Sequence, residues 1–559
     1  MKKVIVMVGA VLAVIAAGIY YYIALPAINI HSAGFWGFII SILAAVFVWS
    51  LIKANLRNFH VRGQQIEMER FESGFAVKLT GVLLGLTVLV YLVGSLLGSP
   101  IINASKYQKL MTVEKGEFSE DIAQADYDTI PLLDRASATL LGDRKMGSMV
   151  EFVSQFEAAD DYTQINYQGK PVRVTPLEYA SPIKWLTNQA EGIPAYMMID
   201  MTTQETECVM LEEGIKYSKS EYFNRNIYRH LRFNYPTYIF GEQLFFEIDE
   251  EGTPFWICPV KKFNIGLFGG ETVGRVVIVN AITGECTDYA VEEVPTWIDK
   301  VFSAELLMNL YDYSGIYIKG FWNSVLSQRG CLQSTNGYNY LAMDDDVWVY
   351  TGVTSLNADQ SNVGFVLMNQ RTMETRYYEV EGAIEDSAMS SAQGQVQHLG
   401  YQATFPLLLN VDGEPTYFMA LKDQAGLVKK YAMVNVQKYQ LVAIGDTIRD
   451  CEGNYSELLI SNGVLSEEDI PDENNQSPDL EEVTVQEVTG VISAIYPLTV
   501  DGDSSLYITL QGDSTNMYWV NLTDPAQTLA INLAAGDSVT MTYYAERETK
   551  GLCQVVSIK

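Results

Sequence analysis

Asp200-Met-Thr-Thr203-Gln-Glu205, Asn280-Ala-Ile-Thr283-Gly-Glu285 and Asn369-Gln-Arg-Thr372-Met-Glu374 share one spacing, and Asn435-Val-Gln-Lys438-Tyr-Gln440 is a worn fourth copy. Each stands between alternating apolar runs, so each reads as the turn of a β-hairpin. The Asn or Asp accepts turn hydrogen bonds, the Thr bonds locally to backbone, and the Glu starts the return strand facing solvent. Recurrence in a fixed order predicts a repeat array in which each unit is a helix, a β-hairpin and a last strand carrying the hexad.

A second signature recurs beside the first: Gly192-Ile-Pro194-Ala-Tyr196, Gly252-Thr-Pro254-Phe-Trp256 and Gly413-Glu-Pro415-Thr-Tyr417. Gly takes positive φ at the turn, Pro fixes φ as the strand leaves it, and the aromatic returns to the packed face. The two patterns place the units at 145–214, 215–295, 296–382 and 383–465, with the second signature missing from the third. For all of these turn residues a role in the fold outweighs a role in ligand binding.

Val279-Asn280-Ala-Ile-Thr283-Gly284-Glu285 resembles the "Val-Asp-x-x-Thr-Gly-Glu" turn of PepSY-type modules of bacterial envelope proteins, and Val434-Asn435 opens the worn copy of it. The resemblance spans roughly residues 145–450. It implies modules that are non-catalytic in most settings, associated with propeptides, envelope sensors and modulation of exported hydrolases. No functional residues carry over, because the motif is structural.

Upstream of the array lie three uncharged apolar runs, 4–25, 35–52 and 79–97, each long enough to cross about 30 Å of hydrocarbon as a helix. Residues 1–98 therefore read as a membrane anchor with three transmembrane helices. Lys2 and Lys3 flank the first run, and Lys53, Arg57, Arg62, Arg70 and Lys78 fill the second loop, while the loop 26–34 has no Lys or Arg. The positive-inside rule then puts the N-terminus in the cytoplasm and residues 99–559 outside the cell membrane. A cleaved signal peptide is the rival reading of residues 1–25 and leaves that outer location unchanged. Residues 99–144 read as a helical stalk with a break at Pro131, 466–482 as an acidic linker, and 483–559 as a small β-barrel of OB-like type. The expected fold class is thus α+β: three N-terminal transmembrane helices, tandem helix-plus-antiparallel-hairpin units and a C-terminal all-β barrel.

Charge narrows the partners. The chain carries 68 acidic and 37 basic side chains, a net −31, and residues 1–98 hold 7 basic and 3 acidic ones, so 99–559 carries −31 − 4 = −35. Nucleic-acid binding is excluded on electrostatic grounds, since phosphate contacts need Lys and Arg. The lipid bilayer and another envelope protein are the expected partners. Asp344-Asp-Asp346 and Asp501-Gly-Asp503 read as acidic turns in preference to sites for a divalent cation such as calcium. All six cysteines, Cys208, Cys258, Cys286, Cys331, Cys451 and Cys553, lie beyond residue 98 and match no zinc spacing, which leaves disulfides and free thiols both open.

No catalytic constellation stands out. Ser181-Pro-Ile-Lys184 fits the Ser-x-x-Lys pattern, but helix capping by Ser181 explains it better. His230 and His398 are isolated on helical stretches without a Cys or Asp pattern nearby. Trp256, Trp297, Trp322, Trp348 and Trp519 sit mostly at core periods. The expectation is a non-enzymatic, membrane-anchored extracytoplasmic binding or scaffold protein, without a cofactor. It would dock or modulate an exported protease or cell-wall enzyme. The alternative is a surface ligand-binding or adhesive protein that uses the terminal barrel.

Overall fold

The computed structural model describes residues 2–55, 59–62, 65–68, 74–125, 130–131, 133–150, 152–343, 345–356, 361–465, 485–500, 503–513, 516–521, 528–544 and 552–558. The chain divides into two compact parts, 1–469 and 470–559.

The first part opens with α1 (Lys2–Ala24), α2 (Ala33–Asn55), the small hairpin of β1 (Phe59–Arg62) and β2 (Gln65–Met68), and α3 (Phe75–Leu97). Three membrane-spanning helices were expected, and this is corrected to two candidates. Among the described residues Ala33–Ala54 and Phe75–Leu97 are long and apolar enough to cross a bilayer, with mean hydropathy 2.3 and 2.2 and only Val77 and Gly94 of α3 buried, whereas the apolar stretch Ala13–Ala24 of α1 is shorter. Helices α2 and α3 pack together through the Ser50 and Thr80 hydroxyls, 3.1 Å apart, and through Gly81 under the Phe47 ring.

The segment read as a helical stalk is a strap laid against the sheets. It comprises α4 (Pro100–Tyr107), β3 (Glu114–Gly116), α5 (Phe118–Asp121) and α6 (Arg135–Ser148). Asp134 caps α6 by accepting from the Ser137 amide at 2.8 Å.

Four antiparallel sheets follow. The first holds β4 (Phe156–Ala158), β5 (Thr163–Tyr167), β6 (Lys170–Tyr179), then α7 (Pro182–Asn188), β7 (Ile193–Asp200) and β8 (Thr206–Ile215), in the order β4-β6-β7-β8 with β5 also on β6. After α8 (Ile227–Asn234) come β9 (Phe245–Ile248), β10 (Pro254–Ile265), β11 (Gly269–Asn280) and β12 (Cys286–Ala290), a plain meander. Helix α9 (Ala304–Ile316) leads into β13 (Leu332–Ser334), β14 (Asn339–Met343), β15 (Asp346–Ser355), β16 (Ser361–Asn362), β17 (Gly364–Asn369) and β18 (Thr375–Tyr378), and β3 adds in parallel to the outer edge of β18. The fourth group is β19 (Gly382–Ala383), which pairs with β16, then α10 (Glu385–Gln395), β20 (Gln402–Ala403), β21 (Leu407–Val411), β22 (Glu414–Lys422), β23 (Val428–Asn435), β24 (Val442–Gly445) and α11 (Ile448–Ser461).

The recurring unit is therefore a four-stranded antiparallel sheet with the hexad in its last turn, which corrects the helix-plus-hairpin unit of the expected fold class. Stacking explains why strands that read as simple alternations are buried on both faces. On β10 and β11, Trp256, Cys258, Val277 and Val279 face the core shared with the first sheet, while Ile257, Val276 and Ile278 face the core shared with the third. On β15 and β17, Val349, Val353, Val366 and Met368 belong to that third-sheet core, and Trp348, Tyr350, Phe365 and Leu367 to the next one.

The second part carries β25 (Val485–Val500), β26 (Asp503–Leu510), β27 (Met517–Asn521), β28 (Ser538–Tyr544) and β29 (Leu552–Ile558). β25 pairs with both β26 and β28, and β27 with β26 and, in parallel, β29. β28 also pairs with β29, so the five strands close on themselves. The expected OB-like type is not shown, and four of the connecting stretches, 501–502, 514–515, 522–527 and 545–551, lie outside the described residues, as does the expected acidic linker 466–482.

Candidate functional site

The hexads form one hydrogen-bond pattern three times over. The side-chain oxygen of Asp200 accepts from the Thr202 and Thr203 amides at 2.8 and 2.9 Å, that of Asn280 from Ile282 and Thr283 at 2.9 Å each, and that of Asn369 from Arg371 and Thr372 at 2.8 and 2.9 Å. Thr203, Thr283 and Thr372 then accept from the amides of Glu205, Glu285 and Glu374 at 3.2 to 3.3 Å. In the worn copy Asn435 still accepts from Gln437 and Lys438, but its own amide reaches Leu441, so the loop is one residue longer. The residue between Thr and Glu has positive φ in each full copy: Gln204 at 62°, Gly284 at 78° and Met373 at 67°. Only the second copy uses the residue that accepts this region without strain.

The second hexad position is a seam between units. Ala281 O accepts from the amides of Lys216 and Tyr217, Gln370 O from Val301 and Phe302, and Val436 O from Ala383, so the connector entering each of the last three units docks on that unit's hexad.

Register identifies the true counterparts of the second signature. The hexad's first residue pairs with Val172, Phe255, Trp348 and Thr416 in the four sheets, which makes Gly169, Gly252, Asp345 and Gly413 equivalent, all at positive φ between 63° and 83°. Gly192 and Pro194 are not part of this set. They begin β7 after α7, and the first unit's signature is Gly169-Lys-Pro171-Val-Arg173. The side chain at the aromatic position holds the incoming connector: Trp256 Nε1 donates to Tyr217 O at 2.8 Å, Tyr417 Oη to Ala383 O at 2.8 Å, and the buried Arg173 Nε to Leu133 O at 3.3 Å. In the third unit Val349 takes this position and packs without a hydrogen bond.

Where the first three units meet, a buried charged cluster forms that no sequence pattern announced. Glu247 on β9 is fully buried, and its two oxygens accept from the amides of Asp299 and Lys300, both at 3.0 Å. Asp299, 1% exposed, accepts from the Asn166 amide at 2.6 Å through Oδ2, while Oδ1 has no partner among the described residues. Burial pushes both carboxyls well above the ordinary carboxylate range, and Glu247 adds to the shift on Asp299. Two bound amides make Glu247 the better seat for the negative charge and leave the proton to Asp299. Burial lowers the Lys300 ammonium to about 8, and it lies over the Phe245 and Tyr340 rings at 4.8 and 5.4 Å. Beside it Asp346 holds Arg371 through two contacts of 2.6 and 2.7 Å and accepts from Asn369 Nδ2 at 2.8 Å. This cluster locks three sheets together. Among the described residues no group of three or more His, Cys, Asp or Glu is placed to hold a metal ion.

The other candidates for chemistry resolve locally. Ser181 Oγ accepts from the Lys184 amide at 3.3 Å and caps α7. His230, isolated in sequence, lies 3.4 Å from Cys286 Sγ, but its Nε2 is also 2.7 Å from Gly284 O. That carbonyl can only accept, so Nε2 carries a proton and cannot take one from the thiol. Burial also raises the Cys286 thiol to about 11, away from the thiolate a nucleophile needs. His398 is exposed on a short 3-10 turn. All six cysteines are free thiols. Asp345 bonds to Asn166 Nδ2 at 2.8 Å and Asp346 to Arg371, while Asp344, Asp501 and Gly502 lie outside the described residues.

The sheets rest on the ends of the apolar helices. Arg232 Nε donates to Leu25 O at 2.9 Å, the Ile28 amide to Pro236 O at 2.8 Å, and His31 Nδ1 contacts Leu267 O at 2.8 Å. The tip of the β10–β11 hairpin reaches down α3: a methyl group at Gly94 would lie 2.3 Å from Leu267 Cδ1, and the Phe268 and Tyr91 rings are 5.2 Å apart.

No protein-family model matches the chain, and no curated protein matches it. Among solved structures, a tryptophan-to-alanine mutant of the Synechocystis apocarotenoid oxygenase is 8% identical with a TM-score of 0.14, over 74% of this chain and 67% of that one. A glutamate-to-glutamine mutant of the same enzyme gives 8% and 0.14 over 72% and 65%. Likenesses this low carry no argument about fold or activity.

Proposed function

We propose that the chain is a membrane-anchored protein whose sheet array, PepSY-like in its turns, binds and positions another exported envelope protein by strand addition, without catalysis of its own. α2 and α3 cross the membrane in this reading, so the stretch just before α2, which contacts the sheets, lies outside with residues 99–559, and the basic loop that joins the two helices lies in the cytoplasm. The observation that carries the binding mode is β3. This short segment adds in parallel to the edge strand that follows the third hexad, pairing Arg376 with Glu114, Tyr377 with Lys115 and Tyr378 with Gly116. The equivalent edge of the first sheet, β8, is ten residues long and pairs only with β7 among the described residues. An open edge of that length offers main-chain donors and acceptors for affinity and alternate side chains for selectivity.

A photo-reactive residue at the exposed Glu212 of β8 tests the proposal in intact cells. The expected result is a discrete cross-linked product with one envelope protein that survives deletion of residues 483–559. Products from other faces but none from β8, or loss of the product on that deletion, contradicts it.

A further inference from the structure

We propose that residues 318–326, together with the start of α4, form a membrane-surface anchor that dips into the outer face of the bilayer. The inference rests on the reading that α2 and α3 span the membrane, and it assigns a lipid-binding role to a segment of the third unit. Four side chains there stand exposed without apolar cover: Ile318 at 48%, Trp322 at 68%, Val325 at 53% and Leu326 at 76%. Soluble surfaces scatter such residues singly, whereas these four fall within nine residues, Ile318 in the turn after α9 and the other three on the short helix 321–327.

Its position says what covers it. Two residues separate the end of α3 from the start of α4, which exposes Ile101 and Ile102. Tyr107 ties α4 back to the end of α3 by donating to Gly98 O at 2.7 Å, and its ring packs on Tyr313 at 4.9 Å and Tyr317 at 6.4 Å. Ring contacts continue from Tyr317 to Phe321 at 6.5 Å and from Phe321 to Trp322 at 5.6 Å. A chain of aromatic contacts thus holds the apolar patch close to the level where α3 leaves the hydrocarbon.

Composition agrees. In a chain of net charge −31, residues 313–331 contain Lys319 and Arg329 and no acidic residue. Basic residues beside an apolar face rich in Trp and Leu suit the boundary between acyl chains and anionic headgroups.

The test uses the full chain reconstituted in phosphatidylcholine–phosphatidylglycerol vesicles, with acyl chains either plain or brominated near the headgroup. Subtracting the fluorescence of Trp322→Phe isolates Trp322, and Trp49→Phe isolates a tryptophan of α2 as the reference. Quenching of both by brominated lipid, at least about twofold for Trp322, with Trp322 shielded from aqueous iodide, is expected. Quenching of Trp49 alone, with Trp322 open to iodide, overturns the anchor and leaves the spanning helices standing. If neither is quenched, the spanning reading and the anchor fall together. A Leu326→Trp variant, read against wild type, repeats the measurement should Trp322→Phe disturb folding.

Discussion

Replacing Asn369 with alanine perturbs the hexad where its load is greatest. Asn369 is 2% exposed, accepts from two backbone amides at 2.8 and 2.9 Å, and donates to Asp346, whose carboxylate already holds Arg371. Two neutral bonds at about 0.5–1.5 kcal/mol each, plus one to a charged group at about 1.5–3, put the cost at roughly 2.5–6 kcal/mol. Asn280→Ala loses only the two backbone bonds, roughly 1–3 kcal/mol. Hydrogen exchange on the full chain reads this locally: protection of the amides at 282 and 283 should fall about 5- to 150-fold in Asn280→Ala, and that of 371 and 372 about 60-fold or more in Asn369→Ala. The aspartate variants sharpen the comparison. Asn280→Asp copies the natural Asp200 and should be nearly neutral, whereas Asn369→Asp sets a second carboxylate against Asp346 and should cost as much as alanine. Equal effects at 280 and 369, or unchanged protection at either, refutes the shared-turn geometry and the role given to Asp346.

The buried cluster makes stability depend on pH with a defined sign. Carboxyl groups whose folded values are raised favour the protonated folded state, so Glu247 and Asp299 withdraw stability as pH rises from the ordinary carboxylate range toward their folded values. Lys300, lowered to about 8, acts in the opposite sense and returns stability above that value. Asp299→Asn, which mimics the protonated acid, should flatten the fall between pH 5 and 7 in melting temperature, and a profile as steep as wild type disproves the assignment of the proton to Asp299. At the positive-φ position of the hexad, Gly284→Ala should cost about 1–2 kcal/mol from backbone strain alone and more because its methyl would meet the Tyr217 ring at 2.3 Å, while Gln204→Gly should be neutral or stabilising by up to about 1 kcal/mol; thermal unfolding separates the two. Cys286 should react with iodoacetamide at pH 7 no faster than an ordinary thiol, and His230→Ala should not slow it; a slowing on that substitution would revive a nucleophilic pair.

Local chemistry was legible in the sequence, and assembly was not. Asn280, Thr283 and Glu285 could be assigned to a turn because the Asn280 and Thr283 side chains bond to backbone amides within three residues of themselves, the last that of Glu285. Gly252 with Pro254 and Gly413 with Pro415 were legible through their own backbone torsions. Gly192 and Pro194 misled because the short pattern was matched without register. The true copy places Arg173 where the second and fourth units have an aromatic, and strand register, together with the shared task of binding the incoming connector, exposes the equivalence. In the third unit Asp345 adopts the turn conformation at φ 63° with neither Gly nor Pro to signal it. The cluster of Glu247, Asp299, Lys300 and Asn166 draws on residues from three units and has no local signature. His230 and Cys286, 56 positions apart, meet for the same reason. The stalk reading of 99–144 failed because β3 finds its partner in β18, more than 250 residues later, and helix-like polarity says nothing about such a pairing.

Sidedness tests the central claim most directly. An impermeant amine reagent applied to intact cells, followed by mapping of modified lysines, compares Lys170 in the first sheet with Lys53 at the end of α2, both exposed. The account predicts modification of Lys170 and protection of Lys53 until the cells are lysed. Protection of Lys170 in intact cells, with modification only after lysis, contradicts it.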